Sequence, residues 1–205
     1  MSTVSTLAEQ RVVLDSISWA TYCALTEEPK RSRGRMTYDQ GVLEIMSPML
    51  SHESAKRLLA RMIEQFTLLR EIDMRSSAST TFRRRDLQRG FEADESYYIE
   101  HAAVILGKEE VDLSIDPPPD LVIEIEITRS AVDKLALFAA MEIPEVWRYD
   151  GRGLTLWTLQ NRSYIQINES QVLSGFPIPL AVELLGIRSE ESETGLIRRF
   201  ISHCV

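Results

Sequence analysis

PDLVIEIEITRSAVDKLALFAAME, residues 119–142, changes its period in the middle. The first half alternates as a strand does, so Leu121, Ile123, Ile125 and Ile127 share one face. Asp120, Glu124 and Glu126 share the other. Three acids on one side of an apolar strand repel one another and lose hydration when that side is covered. A fold tolerates them when a cation, a proton or a basic side chain compensates. The second half reads as a helix from Ala131 to about Met141. Ser130 caps it, Asp133 imitates a capping box, and Lys134 lies in its first turn. The stretch points to a metal site or an acid/base pair.

The chain has 205 residues, 44 % hydrophobic and 26 % charged, as expected of a globular domain with a full core. No apolar run approaches the roughly 20 residues that span a bilayer. The first residues lack the apolar core of a secretory signal. Cys23 and Cys204 suggest neither a disulfide framework nor a zinc site, so a reducing cytoplasm is the expected compartment. The net charge of −8 disfavours a surface that coats nucleic acid without specificity. It is compatible with a nucleic-acid enzyme whose acids hold metal. Two basic runs, Lys30-Arg31-Ser32-Arg33-Gly34-Arg35 and Arg83-Arg84-Arg85, read as solvated loops or strand edges.

Outward from residues 119–142 the elements follow in order. Residues 1–15 are polar and expected to be loosely held. A short helix fits 16–28. Strands at Met36–Tyr38 and Val42–Met46 flank the turn Asp39-Gln40-Gly41. A long helix runs from His52 to about Arg70, capped by Ser51, with Ala55, Leu58, Leu59, Met62, Phe66 and Leu69 in one stripe. A strand over 76–86 turns into a partner over 91–99. Val146–Tyr149, Leu154–Leu159 and Tyr164–Ile167 form an antiparallel meander, and a last helix fits 194–201. The expected fold is α/β (α+β), a mixed central sheet flanked by helices with a C-terminal meander. One domain covers 1–205, with its core at 36–185 and peripheral segments at 1–35 and 186–205.

Phosphodiester hydrolysis without a covalent intermediate needs a divalent cation, carboxylates to hold it, and a cation to stabilise charge. Asp94, Glu124, Glu126 and Lys134 supply these groups. Asp94 opens a strand expected to neighbour 120–127. The stem of Lys134 is long enough to return its ammonium to those acids. An amphipathic helix accepts alanine readily, so Lys134→Ala is expected to spare the fold. Asp120, at the strand start behind three prolines, reads as a turn cap. His101 and His203 have no partner in sequence. Trp147, Tyr149 and Trp157 read as core.

PDLVIEIEITRS and DKLALFAAMEIPEVWRYDG, with GVLEIMSPMLSHE before the long helix and FEADESYYI between, resemble the Uma-type family of restriction-endonuclease-like proteins, in the PD-(D/E)XK nuclease superfamily. The likeness covers roughly residues 36–185. It implies a restriction-endonuclease-like fold with a four-stranded mixed core, and cleavage of DNA with Mg²⁺ (or Mn²⁺). Asp94 matches the first acid of the superfamily pattern and Glu124 the second. Glu126 occupies the usual lysine position, and Lys134 matches the relocated lysine. Glu44 and His52 match positions before and at the start of the first core helix. The implied metal ligands are Asp94, Glu124 and Glu126. The implied catalytic set is Lys134, Glu124, Asp94, His52 and Glu44. Cutting two strands calls for two centres, so a homodimer is expected, with the meander 146–167 and its aromatics as the contact.

Two other functions fit parts of the pattern. Glu126 in the lysine position suits a catalytically eroded member that serves as a binding or assembly module. A carboxylate-pair glycosidase would need no metal, but no aromatic-rich sugar platform accompanies the acids.

Overall fold

The computed structural model describes residues 9–28 and 34–205. Lys30, Arg31 and Arg33 of the first basic run lie outside them, as do residues 1–8. The strands are β1 (Gln10–Leu14), β2 (Arg35–Asp39), β3 (Val42–Ser47), β4 (Arg75–Ser76), β5 (Thr81–Arg84), β6 (Arg89–Glu92), β7 (Glu95–Tyr98), β8 (Leu121–Ile125), β9 (Glu145–Tyr149), β10 (Leu154–Gln160) and β11 (Ser163–Ile167). The helices are α1 (Trp19–Glu27), α2 (Leu50–Leu69), α3 (Ala102–Ile105), α4 (Lys134–Ala140), α5 (Ile178–Gly186) and α6 (Glu193–Cys204). None of the described helices is long and apolar enough to cross a membrane.

β8 lies inside a six-stranded sheet of order β11-β10-β9-β8-β7-β4. It pairs parallel with β9 and antiparallel with β7, so the sheet is mixed. A parallel pair needs a crossover, and α4 provides it. The alternation read from the sequence holds. Leu121, Ile123 and Ile125 enter a core shared with Leu58, Leu59, Met62 and Phe66 of α2. Val122, on the other face, packs with Leu137 and Phe138 of α4. Each such side chain, fully buried, contributes roughly 1.5–3 kcal/mol.

The second sheet is five-stranded, β1-β3-β2-β6-β5, with every pairing antiparallel. Its β2–β3 hairpin turns through Gln40 and Gly41 at φ 46° and 106°, values that favour glycine at the second position. One face carries Met36, Tyr38 and Leu43 against Tyr22 of α1. Close approach of that tyrosine requires a glycine in β6, because a Cβ on Gly90 would lie 2.3 Å from the Tyr22 hydroxyl. The register sets Arg35, Thr37, Glu44, Met46, Phe91 and Phe82 on the opposite face. Phe82 and Phe91 pack on Phe138, so α4 lies between the two sheets. The chain passes from one sheet to the other between β6 and β7, through buried Ala93 and Asp94.

Several expectations need correction. The mixed sheet flanked by helices, with its antiparallel C-terminal meander, is as expected, but a second, antiparallel sheet accompanies it. The strand expected over 76–86 is split between the sheets as β4 and β5, and its partner over 91–99 is split as β6 and β7. Residues 10–14 are not loosely held, because all five pair with β3. Neither serine caps as expected. α2 begins at Leu50 with Met49 as its N-cap, and Asp133 caps α4 by accepting from the Ala136 amide at 3.1 Å. Helix α5 was not among the expected elements; a proline in its first turn is tolerated there. The C-terminal segment is not peripheral: Leu196, Ile197 and Phe200 of α6 join the main core.

Candidate active site

β7 and β8 are neighbours with Glu95 opposite Ile123. Continuing that antiparallel register by one residue sets Asp94 across from Glu124, on the face that looks toward α4. Both carboxylates are buried. Asp94 Oδ2 accepts from the Ile125 amide at 2.7 Å, which ties it to the strand of Glu124. The same oxygen lies 3.1 Å from His52 Nε2. An ionised carboxylate only accepts, so that nitrogen carries the proton. Asp94 Oδ1 lies 2.7 Å from Arg35 Nη1. Burial by itself raises this carboxyl, but His52, Arg35 and Lys134 outweigh it and hold Asp94 below the usual carboxylate range.

Lys134 is the first residue of α4, not the fourth, because the helix starts late. Its Nζ lies 2.5 Å from Glu124 Oε2. The helix dipole opposes a cation there by roughly a few tenths of a kcal/mol, far less than a close buried ion pair supplies. Burial pushes the Glu124 carboxyl up; Lys134 pulls it down and Asp94 raises it again, leaving it at about 7. Lys134 is itself raised, since Glu124 and Asp94 outweigh its desolvation. The lysine side chain is only 14 % exposed. It is no surface residue, and the expectation that alanine there spares the fold is corrected accordingly.

The other residues singled out from sequence go elsewhere. Glu126 accepts from the Ser130 amide at 2.9 Å and pairs with Arg148 at 3.2 Å, so it does not join Asp94 and Glu124. Glu44 accepts from Arg11 Nη1 at 2.6 Å, from the Ala131 amide at 2.7 Å and from the Ser130 hydroxyl. It braces the loop ahead of α4. Asp120 accepts from the amides of Ile99 and His101 and from His101 Nδ1, a turn cap at the far end of β8. The described residues hold no group of three or more His, Cys, Asp or Glu side chains arranged to hold a metal ion.

Arg35, Arg11 and Glu9 were missed. Arg35 was read as part of a loop, yet it opens β2 and alternates with Met36 and Tyr38, the signal that places it on the site face. Arg11 and Glu9 sit in and beside a strand read as polar tail. The aromatics expected to offer a dimer contact are inward: Trp147 and Tyr149 are fully buried, and Trp157 packs against the second cluster.

Residues 19–185 match the model of the Uma2 family, described as "Putative restriction endonuclease". The fold is similar to the crystal structure of a "putative nuclease belonging to DUF820" from Anabaena variabilis ATCC 29413, with a TM-score of 0.54 and 16 % identity. The match covers 92 % of this chain and 99 % of that one. At that identity the likeness speaks to the fold alone. No curated protein matches the chain.

Proposed function

The chain belongs to the Uma2 family, and from that premise we propose that it is a metal-dependent endonuclease hydrolysing DNA phosphodiester bonds at Asp94, Glu124 and Lys134. One observation carries the reading. A helix-borne ammonium reaches a buried strand carboxylate at 2.5 Å, and a second buried carboxylate stands across from it. A purely structural ion pair does not call for that second acid.

The donors fit a hard divalent cation. Mg²⁺ takes oxygen ligands, commonly one or two carboxylates with several waters, and Mn²⁺ accepts the same set. Asp94 Oδ1 is buried and engaged only by the Arg35 guanidinium 2.7 Å away, an ion pair without the alignment of a hydrogen bond. Glu124 is raised by burial, then drawn down by Lys134 and pushed up by Asp94, so its negative charge is incompletely compensated. Asp94 and Glu124 would hold the cation, and Glu126 would not. When bound, such a cation polarises a phosphoryl oxygen and acidifies a water. The chain's own groups do the remainder. Arg35 and His52 keep Asp94 ionised and fixed. Lys134 meets negative charge growing on the scissile phosphate. Glu44 steadies the loop from which α4 starts.

Cleavage of supercoiled plasmid with and without Mg²⁺ tests the reading, using wild type and Asp94→Asn. Metal-dependent nicking lost in the variant supports it. A wild type that leaves plasmid and single-stranded DNA intact with Mg²⁺ and Mn²⁺ overturns it. The alternative, an eroded module that binds without cutting, draws on the closed ion pairs around Asp94 and on Glu126 in the usual lysine position. Retained DNA binding without cleavage selects it. Double-strand cutting also motivates a homodimer. Light scattering near the monomer mass of 23.4 kDa at micromolar concentration argues against it.

A further inference from the structure

β1 is an edge strand whose outer side is solvated: Val12, Val13 and Leu14 are exposed. The charges on it and just before it nevertheless turn inward. The side chains of Arg11 and Glu9 are 11 % and 1 % exposed. Desolvating a guanidinium and a carboxylate on an edge strand is expensive unless their bonds return the cost. Where those bonds end is informative. Arg11 lies diagonally across the β1–β3 pairing from Glu44, since Val13 is the residue opposite Glu44. Its Nη1 donates to Glu44 at 2.6 Å, its Nη2 to Glu9 at 3.1 Å, and its Nε to the Thr128 hydroxyl at 3.0 Å. Glu9 accepts from the Thr128 hydroxyl at 2.6 Å and from its amide. Glu44 accepts from Ser130 and Ala131. All three side chains therefore close on residues 128–131, immediately ahead of Lys134.

We propose that β1 is a working part of the centre: Arg11, seated between Glu9 and Glu44, is a positioning residue that clasps the 128–131 loop and so delivers Lys134 to Glu124. The loop has no helix or strand of its own, and α4 is seven residues long. The start of the helix goes where the loop goes. Without the guanidinium, Glu9 and Glu44 are two buried acids facing that loop with one cation fewer. Arg129 of the loop is exposed, so Lys134, whose side chain is turned inward, is the cation for which they compete with Glu124. The clasp also reaches the other side of the centre. Glu9 Oε1 is buried, makes no hydrogen bond, and faces His52 Nε2, the partner of Asp94, at 3.8 Å.

The test uses the full chain with Arg11→Met, Arg11→Lys, Lys134→Met and the double variant Arg11→Met/Lys134→Met. Two readouts are taken: amide hydrogen exchange, and single-turnover plasmid cleavage with Mg²⁺. Arg11→Met should speed exchange of amides 128–134 at least tenfold and leave β8, α2 and the meander protected. Cleavage should fall roughly 10²-fold, the cost of a group displaced by about 1 Å, with KM little changed. Arg11→Lys should recover part of both losses. In the Lys134→Met background, Arg11→Met should cost nothing further. Unchanged loop protection overturns the proposal. So does a loss of protection spread evenly over the chain, or rate losses that multiply in the double variant. If Arg11→Met does not fold, Arg11→Lys is read by the same criteria. The rate measurement rests on the nuclease reading, but the exchange measurement does not. A wild type that cuts no DNA defeats that reading while the clasp is still decided.

Discussion

Glu124 and Glu145 are buried carboxylates on adjacent parallel strands, and they are satisfied in opposite ways. Glu145 opens β9 beside Leu121, on the face of Trp147. It accepts from Trp147 Nε1 and Ser170 Oγ at 2.6 Å each, and from the amides of Gln171 and Val172. These donors are neutral and fixed, and together they pin residues 170–172 to the sheet. Glu124, three positions along β8 on the opposite face, has one lysine, an opposing acid, and a carboxyl raised by burial. A carboxylate with a structural task is surrounded by rigid dipoles. One left to a single side-chain cation keeps an unmet demand for positive charge, which a metal or a proton can fill.

The largest effect tests that contrast directly. Glu124→Gln and Asp94→Asn should each lower Mg²⁺-dependent cleavage by roughly 10³-fold or more, since each removes a ligand and a charge from the centre. Glu145→Gln should leave the rate per folded molecule within about threefold of wild type. Initial nicking rates, normalised to folded protein by circular dichroism, decide it. A Glu145 variant as dead as the Glu124 variant would erase the distinction between the two acids.

Next comes Lys134→Met, which keeps the stem and deletes the charge. Cleavage should drop roughly 10²–10³-fold. Stability should fall too, because a buried pair is broken. The usual cost of about 3–5 kcal/mol is an upper limit, since Glu124 can take up a proton. The loss should therefore be larger at pH 9 than at pH 6. Denaturant unfolding at both values measures it. Equal losses would mean that Glu124 does not depend on this lysine.

How far the sequence reached follows from the period of each segment. The faces of β8, the stripe of α2 and the meander repeat every two or every three to four residues over enough positions to read. Asp94, Glu124 and Lys134 stood out because charge interrupts apolar periodicity. Segments that change sheets did not stand out. Nothing in Phe91–Ile99 announces that β6 and β7 part company at Asp94, since both halves are extended and mix acids with aromatics. Glu126 shared the parity of Glu124, and only Arg148 on the neighbouring strand explains why it leaves the cluster. Arg11 and Glu9 were hidden because a lone edge strand of mixed charge looks like a tail until β3 is placed beside it.

A smaller effect concerns the structural acid. Glu145→Gln keeps the shape but swaps one acceptor oxygen for a donor that faces other donors. Losing a hydrogen bond to a charged group and leaving a buried donor unpaired costs about 2–3 kcal/mol. In a chain of this size that lowers the melting temperature by about 5–10 °C. Amides 170–172 should exchange faster in the variant. Thermal unfolding unchanged within error would show that the four bonds on Glu145 are dispensable, and the comparison would lose its structural half.

The smallest effect is a pH slope in the metal-free protein. In the fold, burial first of all raises the Glu124 carboxyl, Lys134 only partly offsets it, and the balance leaves it at about 7, up from 4.5. A raised acid binds its proton more tightly folded than unfolded. Its contribution is fully present below about 4.5 and is lost as pH rises through 7. Asp94, held below its usual range by His52, Arg35 and Lys134 against its burial, acts with the opposite sign. Its contribution is present above 3.8 and is lost only in stronger acid, so the two windows do not overlap. Between pH 5 and 7 the chain should lose no more than about 1.4 kcal/mol per pH unit on this account. Glu124→Gln should flatten that slope. Saturating Mg²⁺ should flatten it as well, by favouring the ionised carboxylate, whereas Glu145→Gln should leave it in place. A slope that persists in Glu124→Gln assigns the titration to another group and removes the proton from the account of this acid.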